Sequence, residues 1–330
     1  MRVLITGGMG FIGRHLSQAA IAAGADVTVL DDASSPAGAG SPPLHSAIRT
    51  IPGTVLDREA VARAVDGVDL VFHLAAIVGV HRVLEDPLQT LAVNTDGASI
   101  VLHAAAAAGA KVVYTSSSEV YGAGDGRPFS EDDVLHLGPA HISRWSYAVS
   151  KLHGEMLGLA LAQQHGLRFV AARMFNVVGP GQRADQGMVL PRFVEAALAG
   201  QPLTLDAPGT QQRSLLHVTD AAALLWKLGV LAGQKPVIVN VGSPHIVTMR
   251  DLADQVVQAC QSASPIVLTN AQERLPAGFA PVNVRVPDLR RLQSLVGPLA
   301  LQSLQAIVAD TVAAYGLDPL PDSPHRTSQV

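Results

Sequence analysis

Residues 2–13 read RVLITGGMGFIG. A short β-rich run, Arg2–Thr6, meets glycines at Gly7, Gly10 and Gly13, and a helical pattern follows over Gly10–Ala23. Strand, tight turn and helix in that order let a backbone approach a pyrophosphate. The free N–H groups and positive dipole end of the helix, at Phe11 and Ile12, then face the phosphates. With 30 glycines in 330 residues, a G-x-x-G-x-x-G spacing is expected about 0.2 times by chance, so its placement carries the weight. Asp31 closes the next β-rich run, where a carboxylate accepts from both ribose hydroxyls and repels a 2′-phosphate. That selects NAD over NADP.

Working outward, further β-rich runs lie at Asp26–Leu30, Leu70–His73, Lys111–Thr115 and Arg168–Arg173. Helical stretches separate them at Arg58–Val65, Pro87–Ala108 and Tyr147–Gln164. Near-continuously apolar strands alternating with helices predict an α/β, Rossmann-type, doubly wound parallel sheet. In the second half, helices are expected at Met188–Ala199, Thr248–Cys260 and Leu299–Tyr315, with a strand at Pro236–Val241. Ser34–Pro43 reads as a flexible surface loop and 319–330 as a loose tail.

Composition narrows the classes. Hydrophobic residues make up 48% and charged residues 15%, which supports a sizeable core and excludes global disorder. A net charge of −4 without a basic run leaves no footprint for nucleic acid. Cys260 is the single cysteine, so an internal disulfide is excluded, and no metal site is expected. No apolar stretch is long enough to span a bilayer, and the first residues run straight into the glycine motif, so a cytoplasmic protein is expected.

Tyr147-Ala-Val-Ser-Lys151 sets a phenol and an ammonium one helical turn apart. The ammonium is expected to pull the phenol down toward neutrality, making Tyr147 a general base for a sugar hydroxyl. Thr115-Ser-Ser-Ser118-Glu119 follows a buried-looking strand and places hydroxyls at the carboxyl edge of the sheet.

Together these residues resemble the extended short-chain dehydrogenase/reductase family, the NAD-dependent nucleotide-sugar epimerases, dehydratases and decarboxylases. The resemblance covers about 1–316. It rests on TGGMGFIG (6–13), Asp31, Asp57, HLAA (73–76), Asn94, SSSEVYG (116–122), YAVSK (147–151), RMFNVVGPGQ (173–182), MVLPRF (188–193), Gln212-Arg213-Ser214, His217-Val218 and RVPDL (285–289). It implies a Rossmann domain of 1–175 plus about 214–242, and a smaller interleaved C-terminal α/β substrate domain of about 176–213 plus 243–318. Asp57 would contact the adenine, Leu74, Ala75 and Ala76 would line the cofactor, and Phe175 would border it. Ser117 would assist Tyr147, while Lys151 would also hold the nicotinamide ribose. Asn176 would meet the phosphate or sugar, and Val189, Leu190 and Arg192 would border the base. Arg213 and Arg285 would grip the diphosphate of a nucleotide-diphosphate sugar, most simply a UDP-sugar. Helices 88–108 and 147–164 would build a homodimer interface.

The reaction turns on the neighbours of the tyrosine. Oxidation at carbon 4 is shared by the family. Where relatives of the 4,6-dehydratase type carry Asp-Glu, this chain has Ser118-Glu119, so the acid for a departing hydroxyl is missing. The Ser118–Gly122 stretch resembles UDP-glucuronate decarboxylases and GDP-mannose dehydratases. Arg144-Trp145-Ser146-Tyr147 resembles UDP-apiose/xylose synthase and bacterial decarboxylases, and Arg285 fits that branch. The expectation therefore leans to decarboxylation of a UDP-uronic acid, with Glu119 in the catalytic set and Ser118, Glu119 and Arg144 against the substrate. A 4-epimerase and a dehydratase stay open. An NADP-dependent carbonyl reductase and a non-catalytic NAD sensor are the readings from other classes. Asp206 stands where many relatives carry an aromatic residue that stacks on the base.

Overall fold

All five strands read from the first half fall in one parallel sheet. They are β1 (Arg2–Thr6), β2 (Asp26–Asp31), β4 (Leu70–His73), β5 (Lys111–Ser117) and β6 (Phe169–Met174). Two edge strands, β3 (Arg49–Pro52) and Val237–Val241, complete the seven, in the spatial order Val237–Val241, β6, β5, β4, β1, β2, β3. In this computed structural model, residues 1–35, 37–142, 144–231, 235–270 and 282–317 are described; the expected tail 319–330 lies outside them.

The side-chain alternation of each strand explains the layering. Val3, Ile5, Leu70 and Phe72 join one core with Leu16 of helix Phe11–Ala22 and Leu225 and Leu228 of helix Val218–Leu231. Their neighbours Leu4 and Val71 point the other way, to Val61 of helix Arg58–Val65 and Val101 and Leu102 of helix Gly97–Ala108. A strand covered on both faces needs no polar side, which is why these runs read as continuously apolar. A third core, with Phe193, Leu205, Leu252, Val256 and Ile307, joins segments from 178–215 and 247–315.

From β1 the chain builds outward to β2 and β3 on one side, then returns to β4 on the other. The crevice outside the carboxyl ends of β1 and β4 is therefore the switch point where ligands bind in such sheets. The loops there touch. A Cβ on Gly7 would lie 2.7 Å from the Ala75 backbone nitrogen, and Gly7 has φ +73°. Both facts demand glycine.

Three expectations change. The single helix over Pro87–Ala108 is a short helix Pro87–Leu91, a π-helical turn Ala92–Asp96, and helix Gly97–Ala108. The widened turn carries buried Asn94, whose amide accepts from Ile77 N (2.8 Å) and donates to Ile77 O (3.1 Å) and Ser150 Oγ (3.2 Å). The helix expected from Leu299 starts at Leu304, where Ser303 Oγ accepts from Ala306 N (3.2 Å). Around Ser34–Pro43, the described backbone is stitched to the loop beyond β6. Gly38 N donates to Gly181 O (2.8 Å) and Gly181 N to Ala39 O (2.7 Å).

Among the described residues, no helix is long and apolar enough to cross a membrane, and no cluster of His, Cys, Asp or Glu could hold a metal ion.

Candidate active site

A cavity of about 930 Å³ opens outside the carboxyl ends of the strands, running from Gly7, Gly10 and Gly13 past Ser117 and Tyr147 to Arg213 and Arg285. Its first end is built by the glycine turn. A Cβ on Gly13 would sit 2.3 Å from Gly7 O, so that glycine is demanded by the packing of helix on turn. Gly10 is different. Its φ is −74°, and a Cβ there would approach only Gly7 O at 3.3 Å and Ser35 O at 4.0 Å. The chain leaves this place on the cavity wall unfilled, as a cradle for a pyrophosphate requires. Asp31 reaches the same wall, with Oδ2 accepting from Met9 N and Oδ1 from Ala33 N, both at 2.8 Å. Each oxygen keeps a lone pair free for a ribose hydroxyl. Phe11, Ile12, Leu74, Ala75 and Ala76 complete this end. The residues present fit a dinucleotide.

The middle of the cavity holds the tyrosine. Tyr147 and Lys151 lie one turn apart on helix Arg144–His165, and the Ser117 hydroxyl at the end of β5 hydrogen-bonds to the phenol. Lys151 is 3% exposed and donates from Nζ to Thr115 O at 2.9 Å. The expected lowering of the phenol does not occur in the protein alone. Burial pushes Tyr147 well above its ordinary value, with the Ser117 hydrogen bond opposing and the Glu119 charge adding. Burial also brings Lys151 down to about 7. Desolvation disfavours the charged form of each partner, so it raises an acid and lowers a base. In the protein alone the phenol therefore keeps its proton, and the lysine titrates close to neutral pH.

Glu119 and Arg285 meet on the wall beside this group. Glu119 sits in the 3₁₀ turn Ser118–Tyr121, whose N-cap is Ser117, with its Oγ accepting from Glu119 N at 3.2 Å. Arg285 lies in the two-residue strand Val284–Arg285, alongside Gln212–Ser214. Arg285 Nη1 donates to Glu119 Oε1 in an ion pair. Arg285 is 8% exposed, and its Nε is buried without a partner among the described residues.

Ser118, Asn176, Val189, Arg192 and Arg213 also line the cavity, Asn176 with its amide on Ser214 O (3.2 Å). Asp57 does not reach the cavity. It caps helix Arg58–Val65, accepting from Glu59 N (2.9 Å) and Ala60 N (3.0 Å), while Gly53, Thr54 and Val55 of the same loop take the wall. Phe175 is fully buried against Tyr121 and Phe129. Leu190 turns into the third core, because helix Val189–Leu198 offers the cavity the face carrying Val189, Arg192 and Phe193. The Arg144 side chain lies outside the described residues. Arg82, Gln89, Arg183, Gln186, Gln211 and Met249 line the cavity unannounced. They stand outside any spaced motif, so only the fold brings them in.

Residues 3–242 match the sequence profile of the NAD dependent epimerase/dehydratase family. The chain belongs to this family. It is an enzyme of NAD-dependent nucleotide-sugar chemistry. It is 37% identical over 300 residues to UDP-N-acetyl-alpha-D-glucosaminuronate decarboxylase of Bacillus cytotoxicus, covering 89% of this chain and 91% of that protein. Among solved structures it is similar to MoeE5 in complex with UDP-glucuronic acid and NAD (TM-score 0.81, 28% identity, 95% and 98% of the two chains). It is also similar to TunA, an NAD-dependent NDP-hexosamine 5,6-dehydratase of tunicamycin biosynthesis (TM-score 0.84, 30% identity, 97% and 99%).

Proposed function

We propose that this family member decarboxylates a UDP-linked hexuronic acid through a 4-keto intermediate. The observation that carries the reading is Arg285: a buried guanidinium with a free Nε–H, held by Glu119 next to Ser117 and Tyr147. A sugar carboxylate beside this guanidinium gains a charge-assisted hydrogen bond. The uridine nucleotide and the uronic acid are supported by the names of the Bacillus cytotoxicus relative and of the MoeE5 complex.

The positive charge of bound NAD would favour the ionised phenol, and Tyr147 as the phenolate, with Ser117 beside it, would take the proton of the carbon-4 hydroxyl. NAD, held by Gly7, Gly10, Gly13 and Asp31, would supply the reversible hydride chemistry at carbon 4 and so would be recycled. With a carbonyl at carbon 4, the carboxylate on carbon 5 belongs to a β-keto acid. The C5–C6 bond breaks, carbon dioxide leaves, and its electron pair becomes an enolate over C5, C4 and oxygen. Proton return to C5 and reduction at C4 give the UDP-pentose, with Tyr147 giving its proton back to the C4 oxygen. Glu119 holds Arg285 in place for the carboxylate. Ser118, where an acid would serve a leaving hydroxyl, supports carbon dioxide as the leaving group.

On this reading 1–175 with about 214–242 carries NAD, and about 176–213 with 243–318 carries the UDP-sugar. The reading includes a homodimer built on helices Pro87–Leu91, Gly97–Ala108 and Arg144–His165, where Leu88, Val149 and Met156 are exposed. Incubation with UDP-glucuronate and UDP-N-acetylglucosaminuronate, read by proton NMR, tests the function. A UDP-pentose, plain or 2-acetamido, is expected. A 4-epimer that keeps its carboxylate, or no turnover of either, would refute it.

A further inference from the structure

Glu119 and Arg285 lie 166 residues apart, and each is carried by a short element. Their two segments are joined behind the cavity at one buried amide. Asn240, on the edge strand Val237–Val241, is fully buried. Its Oδ1 accepts from Tyr121 OH at 2.6 Å, and Tyr121 ends the 3₁₀ turn that carries Glu119. Its Nδ2 donates to Phe129 O (2.8 Å) and to Asp288 O (3.3 Å), three residues beyond Arg285. Its backbone N donates to Glu131 Oε1 at 2.8 Å. Phe129 closes the loop from the other side. Phe129 N donates to Val286 O and Asp288 N to Phe129 O, both at 2.8 Å. The Tyr121 ring stacks on Phe129 with centroids 4.5 Å apart and planes 14° apart.

We propose that Tyr121 and Asn240 are positioning residues for recognition of the substrate's anionic end: they fix the separation of Glu119 and Arg285, and so the place where a carboxylate can sit. Neither lines the cavity, so neither touches substrate. The amide accepts once and donates twice, to groups of Tyr121, Phe129 and Asp288 that carry or brace the two segments. A change at the hydroxyl reaches the pair through Asn240 and also reaches Arg173, whose guanidinium lies 4.6 Å from the Tyr121 ring and pairs with Glu155; Asn240→Asp leaves the ring in place and so separates the two routes. The glycine turn is built from β1 and β4 and shares no hydrogen bond with this junction. This inference rests on the reading of Arg285 as the carboxylate anchor.

The test compares UDP-glucuronate with UDP-glucose, which differ in the group on carbon 5. Tyr121→Phe keeps the ring stack and deletes the hydroxyl. Asn240→Asp keeps size and removes the donor to Phe129 and Asp288. Both variants are expected to bind UDP-glucuronate about tenfold more weakly by calorimetry, the effect of one hydrogen bond of about 1.4 kcal/mol, and UDP-glucose within about twofold of wild type. Retained NAD should be unchanged, and KM for the uronate should rise while kcat moves little. Equal weakening toward both ligands marks a merely structural role and overturns the proposal, as does no weakening in either variant. Arg285→Gln separates the premise: if it too leaves the uronate preference intact, the reading of Arg285 fails. If it abolishes the preference while Tyr121→Phe and Asn240→Asp do not, only the positioning role fails.

Discussion

Arg285 donates to Glu119 on the wall of the cavity that also holds Tyr147. The pair brings the middle of the cofactor sheet and a late segment of the chain to one point. Arg285→Gln removes the charge while keeping an amide donor. It should lower kcat/KM for a UDP-uronate by about 10²-fold or more, since the substrate carboxylate loses a desolvated, charge-assisted partner. Glu119→Gln keeps Arg285 and should cost about tenfold, because the guanidinium loses its orienting partner. Steady-state kinetics check both, and the order of the two effects is the informative result.

Tyr147→Phe should lower kcat by about 10³-fold, within the range for loss of a positioned general base. Its retained NAD, read by absorbance after denaturation, should stay near wild type. Lys151→Met should lower both kcat and retained NAD.

Two glycines of the turn, Gly10 and Gly13, should separate. Gly13→Ala forces a Cβ to 2.3 Å from Gly7 O and should prevent folding or lower Tm by many degrees. Gly10→Ala meets nothing nearer than 3.3 Å, so the protein should fold with a circular dichroism spectrum like wild type. It should lose NAD, because the new methyl occupies the pyrophosphate's place. Equal NAD retention in Gly10→Ala would contradict the assignment of that wall.

His73 gives a pH signature. Burial, with a smaller contribution from Lys151, holds its ring down at about 3, below the ordinary 6.5. Below pH 6.5 the unfolded chain binds a proton that the folded chain refuses, so stability is lost as pH falls through this window toward 3. Between pH 6.5 and 5 that loss is about 2 kcal/mol, at ~1.4 kcal/mol per unit. Urea denaturation at pH 7 and 5 should show the extra loss in wild type and its absence in His73→Asn.

Much of the architecture was legible because its signals are local. Arg2–Thr6, Arg58–Val65 and Leu70–His73 appear over the residues expected, since buried strands and amphipathic helices write their period into neighbouring residues. β3 was not legible: Arg49-Thr-Ile-Pro52 is a largely exposed edge, where Pro is tolerated and no apolar run is needed. The break at Ala92–Asp96 was hidden because Asn94 finds its partners at Ile77 and Ser150, far along the chain. Tyr147 and Lys151 stood out by spacing and Ser117 by the family resemblance, but the direction of the Tyr147 shift depends on burial, which spacing does not report. Arg285 was expected on the diphosphate; its contact with Glu119 arises only when Val284–Arg285 pairs with Gln212–Ser214. Asp57 caps helix Arg58–Val65, a role the sequence alone does not separate from contact with an adenine.

The most direct measurement follows the carboxyl carbon. UDP-glucuronate and UDP-N-acetylglucosaminuronate labelled with ¹³C at carbon 6 are incubated with the purified enzyme and followed by carbon NMR. The account predicts that the label of at least one appears as carbon dioxide and bicarbonate, one for each UDP-pentose formed. Label that stays on the nucleotide sugar, whether the sugar is epimerised or untouched, would contradict it.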